Sequence, residues 1–452
     1  PSHLPRAETY RKLKMPRTIT EPERQIPVAQ EADVLVIGGG PAGFAAAVSA
    51  ARSGAQTLLV EQTGAVGGIA TSGLMSHWTG STEGPLYAEI LARATEPKEE
   101  ISILGLERTP ARVLINPERL KLTLLEMLHE AGAGLQLYTF ASDAIVEEKR
   151  ILGAITESKS GRQAILAKIV IDASGDGDIA VRAGAEYFKG REEDGRMQPV
   201  TIMFKLAGVN TAQAIFPGSF ETNLEVPAGK IQDLGKEHLP FPAGHVLLYR
   251  STLPGVVTVN MTNIIDIDGT RAEDLTRGEY ECRRQIDPIV RFLREYAPGY
   301  ENCYVISSAS LLGVRETRHF VGDYVLPERD ILEARLFDDW LVTRAHFNFD
   351  VHNLTGAGLD STGAQKEFKQ RDKYSIPYGC FLPKGIDGLF LAGRNISGTH
   401  MAHSNFRVMP ICVNMGQGVG TAAALCARKD LLPRELDIAE VQEALKAQGV
   451  EP

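Results

Sequence analysis

Short β-branched runs and Ala-rich helical stretches alternate along this chain, and glycine clusters mark the joints between them. Asp33-Val-Leu-Val-Ile37 is apolar at consecutive positions, as in a strand buried on both faces, and Gly38-Gly-Gly40-Pro-Ala-Gly43 follows directly. Phe44 to Arg52 then predicts a helix ending before Gly54, and Thr57-Leu-Leu-Val60 a second strand with Glu61 at its end. A helix is predicted over Pro117–Glu130, with Asn116 as N-cap and Leu120, Leu124, Leu125 and Leu128 at helical spacing. Strands are expected at Leu135–Phe140, Ala144–Glu147 and Leu152–Glu157, with turns at Lys149-Arg150 and Ser160-Gly161. Ala167-Lys-Ile-Val-Ile-Asp172 reads as another buried strand, running through Ala173-Ser-Gly-Asp-Gly into a helix capped by Asp178.

Near the other end, Gly388-Leu-Phe-Leu-Ala-Gly393 repeats the strand-to-glycine pattern, and Asn414 to Leu425 the passage from glycine to Ala-rich helix. The intervening residues differ in texture. Strand-like pieces at Val200–Leu206, Val246–Tyr249 and Val256–Met261 alternate with loops, and a helix with charged faces spans Arg271–Tyr296. The pattern predicts an α/β fold: a Rossmann-like domain built from both ends of the chain, at 31–195 and 371–430, with an inserted α+β substrate (cap) domain at 196–370. An N-terminal arm (1–30) and a C-terminal helix (431–452) flank these parts.

The first unit carries the clearest chemistry. Gly38 permits a tight turn, Gly40 lets backbone approach a pyrophosphate, and Gly43 lets the helix pack close to the sheet with its free N–H groups toward the anion. Glu61 follows the first glycine by about 20 residues, where a carboxylate can hold an unphosphorylated adenosine ribose. The motif alone leaves FAD and NAD both open. Gly67-Gly68, just beyond Glu61, suits a longer cofactor lying across the site.

Other polar groups are placed where they could act. Ala345 to His352 alternates, so a strand there would put His346, Asn348, Asp350 and His352 on one face for substrate, a metal or solvent. Arg315 and Arg318 could bind a carboxylate or pair with Glu316. His400, His403 and Arg407 share one side of a helical turn.

Taken together, Val34–Gly43, Glu61, Gly67-Gly68, Val170–Gly175, Val314-Arg-Glu-Thr-Arg318 and Leu391-Ala-Gly-Arg394 through Ala424 resemble the FAD-dependent oxidoreductases of the glutathione-reductase type. More closely, they resemble the broad flavoprotein family related to succinate dehydrogenase and fumarate reductase flavoprotein subunits. The resemblance implies that Gly38, Gly40, Pro41, Ala42, Gly43, Glu61 and Gln62 hold the ADP half of FAD, and Gly67 and Gly68 the ribityl side. It adds Ala141, Ala173, Gly175 and Gly393 to the cofactor set and places Gly416, Gly418, Val419 and Gly420 at the isoalloxazine end. Arg394 stands where fumarate reductase relatives usually carry an acid; it is read as a pyrophosphate or ribityl contact, with a surface salt bridge as the alternative. His400, His403 and Arg407, bracketed by the late glycine regions, are expected to face substrate together with His346. A histidine there would move a proton while hydride moves to or from flavin N5, and Arg407 would hold an anionic group or the flavin O2.

The expected activity is therefore hydride exchange between FAD and a small organic substrate, with an anion as one candidate. A flavin-dependent lyase or hydrolase acting through transient oxidation, and a non-catalytic electron-relay subunit, fit the same motifs. The electron acceptor is unknown and a homo-oligomer is possible. A net charge of −9 and two Trp argue against nucleic acid. Five scattered cysteines without a C-x-x-C pair fit a reducing, cytoplasmic setting, and no metal site is expected. Arg6, Arg11, Lys12, Lys14 and Arg17 read as a solvated arm rather than a transit peptide. The apolar stretch Val408–Ala427 carries Pro410, Asn414 and Gln417 and reads as a buried helix rather than a membrane anchor.

Overall fold

The computed structural model describes residues 18–75, 77–80, 82–95, 112–359 and 370–452. The five basic residues of the N-terminal arm lie outside them.

Parallel strands β1 (Val28–Ile37), β2 (Thr57–Val60) and β3 (Gly134–Gln136) form the first half of a sheet. β1 also pairs in parallel with the long strand β6 (Gly161–Asp172). An antiparallel meander of β4 (Phe140–Glu147), β5 (Arg150–Ser158) and β6 completes the order β3-β2-β1-β6-β5-β4. The predicted strand at 135–140 is split, because Tyr138 takes a left-handed φ of 54° that no strand sustains.

Helix α1 (Pro41–Arg52) covers this sheet beside α2 (Pro117–Ala131), whose N-cap is Asn116 as expected. A short helix, α3 (Asp178–Arg182), follows β6. Its N-cap is Gly177, not Asp178. The capping acceptor is Asp172 at the end of β6, whose buried Oδ2 accepts from Ile179 N (2.9 Å) and Ala180 N (2.8 Å). Burial pushes the Asp172 carboxyl upward, while its donors from Ser174 and Ala180 act in the opposite direction.

The inserted lobe is an antiparallel sheet of β7 (Phe204–Ala207), β8 (Leu248–Arg250), β9 (Val257–Val259) and β10 (Tyr304–Ser308), ordered β8-β9-β7-β10. Helix α4 (Ala272–Tyr296) lies against it through Ile289, Phe292 and Leu293, giving this lobe its own core. The lobe is shorter than the expected 196–370. Phe320, Leu326, Ile331, Leu341, Phe349 and Val351 all bury their side chains in the core of the first sheet.

The chain returns to that core through β11 (Trp340–Ala345) and β12 (Tyr374–Pro377), then β13 (Leu389–Leu391). β13 pairs in parallel with the last residues of β6, Val170 to Asp172, so both ends of the chain share one sheet. Helices α5 (His400–Phe406), α6 (Met409–Lys429) and α7 (Ile438–Ala447) close the fold. Among the described residues no single helix is long and apolar enough to cross a membrane, and α6, buried along nearly its whole length, is enclosed by α1, β11 and β6.

Candidate FAD and substrate site

The carboxyl ends of the parallel strands open on a cavity of about 660 Å³, the crevice where such sheets bind ligands. At its outer end lie the turn after β1 (Gly38, Gly40, Pro41, Ala42), the residues after β2 (Glu61, Gln62, Thr63), and Gly68. Gly38 has φ +95°, and a Cβ there would stand 2.5 Å from the Ala173 carbonyl oxygen, so only glycine fits. Gly43 packs α1 onto the turn: a Cβ would lie 1.8 Å from the Gly38 oxygen. Around Gly40, by contrast, a Cβ would meet nothing within 4 Å. The first turn of α1 has no side-chain cap, which leaves its N–H groups for an anion. Glu61 accepts from Gly39 N and Thr63 N, both at 2.7 Å, so its carboxylate is held at the cavity edge by the backbone it shapes.

Midway, Ala141, Ala173, Gly175, Gly393 and Arg394 line the wall. Arg394 Nη2 donates to Asp176 Oδ1 (3.0 Å), while its buried Nη1 has no partner. The inner end collects Thr201, Met203 and Asn260 from the inserted lobe and Arg315, Asp350, His352, Arg407, Val408, Met409 and Cys412 from the surrounding segments. Arg407 Nη2 donates to the Asp350 carbonyl oxygen and Oδ2, both at 2.9 Å, and its buried Nε is unpartnered. His352 Nε2 stands 3.4 Å from Asp350 Oδ2, with Nδ1 buried and unpartnered.

This end has a distinct electrostatic character. Burial pushes the Arg315 guanidinium down to about 10, helped by the charge of Arg407, which leaves it cationic at neutral pH. Burial and Arg315 push His352 down to about 4, so it is neutral. Burial raises the Asp350 carboxyl, but His352, Arg407 and Arg315 outweigh that effect and hold it below the usual carboxylate range. Two cations thus face one anion. Behind them sits His245, lowered to about 3 by burial, then by His352 and Arg315.

The profile of the FAD dependent oxidoreductase family matches residues 33–445. The chain belongs to this family. It is 33% identical over 158 residues to digeranylgeranylglycerophospholipid reductase 1 of Methanopyrus kandleri, covering 32% of this chain and 40% of the relative. It is 30% identical over 181 residues to thiamine thiazole synthase of Aeropyrum pernix, covering 38% and 63%. The matched stretches therefore span less than two thirds of either relative. Among solved structures, a geranylgeranyl bacteriochlorophyll reductase-like protein of Thermoplasma acidophilum aligns over 93% of this chain and 84% of its own, with a TM-score of 0.49 and 15% identity.

FAD is thus the cofactor, and the cavity suits it. Open space at Gly40, uncapped N–H groups of α1 and the unpartnered Arg394 Nη1 all await an anionic group, and Glu61 can accept from ribose hydroxyls.

Several expected positions are corrected. Gly416 and Gly420 do not reach the cavity. They lie inside α6 against α1, where a Cβ would stand 2.1 Å from Ala42 O and 2.3 Å from Ala46 O respectively. Gly418 meets Leu341 of β11, and Val419 is core. The helix N-terminus that does face the cavity begins at Met409, with Pro410 in its first turn, so Val408, Met409 and Cys412 occupy the place assigned to the glycines. Gly67, with φ +108°, packs on Thr71 and Leu124 rather than lining the cavity. Gly43 likewise serves packing.

His400 and His403 do not line the cavity either. His400 Nδ1 meets Glu316 Oε1 at 2.6 Å, and His403 is buried edge-on against His319 and Phe406. Arg407 does line it. The strand expected to carry His346 ends at Ala345, where a left-handed Arg344 (φ 55°) breaks the alternation, and His346 is half-buried away from the cavity lining. From the same polar row, Asp350 and His352 reach the cavity. Thr201, Met203 and Asn260 flank the strands of the inserted lobe, and nothing local in the sequence tells which of its residues face the first sheet.

Proposed function

We propose that this FAD-dependent oxidoreductase exchanges hydride with a small organic anion held by Arg315 and Arg407 beneath the inserted sheet. The supporting observation is the charge imbalance of the inner end: Arg407 pairs with the single carboxylate of Asp350, the buried Arg315 guanidinium finds only the Pro199 carbonyl oxygen among the described residues, and Arg407 Nε is left without an acceptor. When bound, FAD supplies a two-electron donor or acceptor to this cavity. Arg315 and Arg407 orient the substrate carboxylate, and Thr201, Met203 and Asn260 close the cavity over it and exclude water. His352 holds or takes a proton at Nδ1, its unpartnered ring nitrogen. An anion seated between the arginines offsets the positive charge that depresses His352, so substrate binding itself raises its proton affinity.

The test is an anaerobic screen of the yellow holoenzyme, reading flavin bleaching or reoxidation. Carboxylic acids should react, and their neutral amides or esters should react at least about 100-fold more slowly. Arg315→Met should raise KM for the acid while leaving FAD bound. Equal rates with acid and amide would discard the anionic substrate.

A further inference from the structure

The residues expected to meet substrate, His400 and His403, form a different assembly. Glu316 and His319, on the segment entering the short strand Arg318–Phe320, face them across the interior. Glu316 Oε1 lies 2.8 Å from His319 Nε2 and 2.6 Å from His400 Nδ1, and Glu316 Oε2 accepts from Gln198 N at 3.0 Å. All four side chains are buried. His403 is the odd member: Nδ1 of His319 and of His403 both lack a partner, but His319 and His400 bond Glu316 through their other positions, whereas among the described residues the His403 ring makes only aromatic contacts. A ring nitrogen buried without a hydrogen bond carries an uncompensated desolvation cost.

We propose that Glu316, His319 and His403 bind a divalent transition-metal ion of the zinc class, with His400 as the partner that orients the Glu316 carboxylate. One ligand atom from each of the three lies within 4.8 Å of the other two. A tetrahedral site with bonds of about 2.0 Å separates neighbouring ligand atoms by about 3.3 Å, so small side-chain rotations close these distances on an ion. Two imidazoles and one carboxylate are the donor set that zinc and its neighbours prefer, and they are poorly matched to calcium or magnesium, which take oxygen ligands. The hydrogen bond from His400 to the same carboxylate supplies the outer support that such ligands need.

Three protein ligands leave the fourth position to a water, and because the cluster lies outside the cavity lining the ion acts through the segments it joins. It ties the segment bearing Arg315 to helix α5, which ends at Arg407, and so fixes from behind the two cations of the cavity.

The holoenzyme, purified without a histidine tag, is incubated with Zn2+, desalted and assayed for metal by mass spectrometry. The expected content is about one zinc per chain, accompanied by a rise in Tm, with both lost in His403→Ala. Loading the wild-type protein with Co2+ gives a second readout that requires no variant: a visible ligand-field band of a tetrahedral nitrogen and oxygen site. Wild-type zinc content near zero, zinc content unchanged in His403→Ala, or absence of the cobalt band would each overturn the site. None of these readouts depends on substrate turnover or on the anionic-substrate proposal.

Discussion

Gly40 and Gly43 stand three residues apart in one glycine turn, yet they face opposite demands. Alanine at Gly40 places its methyl in open space within the FAD cavity, so Gly40→Ala should unfold like wild type without FAD but bind the cofactor at least about tenfold more weakly, read by flavin fluorescence titration. Alanine at Gly43 collides with backbone 1.8 Å away and should cost about 3 kcal/mol or more in urea unfolding. The spacing of the turn made both positions legible, but whether a glycine leaves room for a ligand or for its own chain depends on what packs opposite. The histidines carry the same lesson: His400 and His403 share a helical turn yet miss the cavity, whereas the alternation over Ala345 to His352 picks out Asp350 and His352 although no strand extends past Ala345. Buried and neutral, His352 titrates near 4 when folded against 6.5 when free. Between those values the unfolded chain binds more protons, so this contribution is complete above about pH 6.5 and disappears as pH falls toward 4. His245, lowered to about 3, acts with the same sign. Urea unfolding at pH 5 should therefore show a loss of the order of 2 kcal/mol per histidine relative to pH 7, and His352→Gln should reduce that loss.

The contact of α1 with α6 depends on small residues at one-turn spacing. Gly416 and Gly420 let the α6 backbone rest against the Ala42 and Ala46 carbonyls, closer than any side chain would allow. Alanine at Gly420 should lower stability by about 2 kcal/mol or more, although helix propensity alone would favour it by about 1 kcal/mol, so the sign of the urea-unfolding result separates packing from propensity. The Ala-rich helix is evident from composition, but the glycines at 416–420 mark its contact with α1 and not its start, which Pro410 in the first turn identifies. Asp172 makes a similar point for α3. A strand-ending acid caps a helix several residues later, a pairing that only the fold of the intervening glycines creates. Asp172→Ala should leave two buried N–H groups unpaired and cost about 3 kcal/mol.

At the scale of the whole molecule, FAD would lie along the seam where the first sheet, the late helices and the inserted lobe meet. A ligand bound only by the folded state adds about 2.7 kcal/mol when present at about 100 times its Kd. Stripping the flavin should accordingly lower Tm by several degrees, restored by FAD and not by riboflavin if the Glu61 and Gly40 end contributes as proposed. The division into two lobes was legible from texture, but its far boundary was not: the apolar run of β11 and the Phe349 and Val351 of the mixed segment after it could serve either core, and only the packing assigns them to the first.

The late arrival of β13 on β6 also governs how the chain is born. As Asp172 leaves the ribosome, the strand it ends has β1 on one side but an open edge on the other at its last three positions, and the strand that covers this edge, Leu389–Leu391, is translated only about 215 residues later. At about 5–20 residues per second the nascent sheet waits roughly 10 to 40 s with a bare apolar margin, long enough for chaperone capture to decide yield before any cofactor is met.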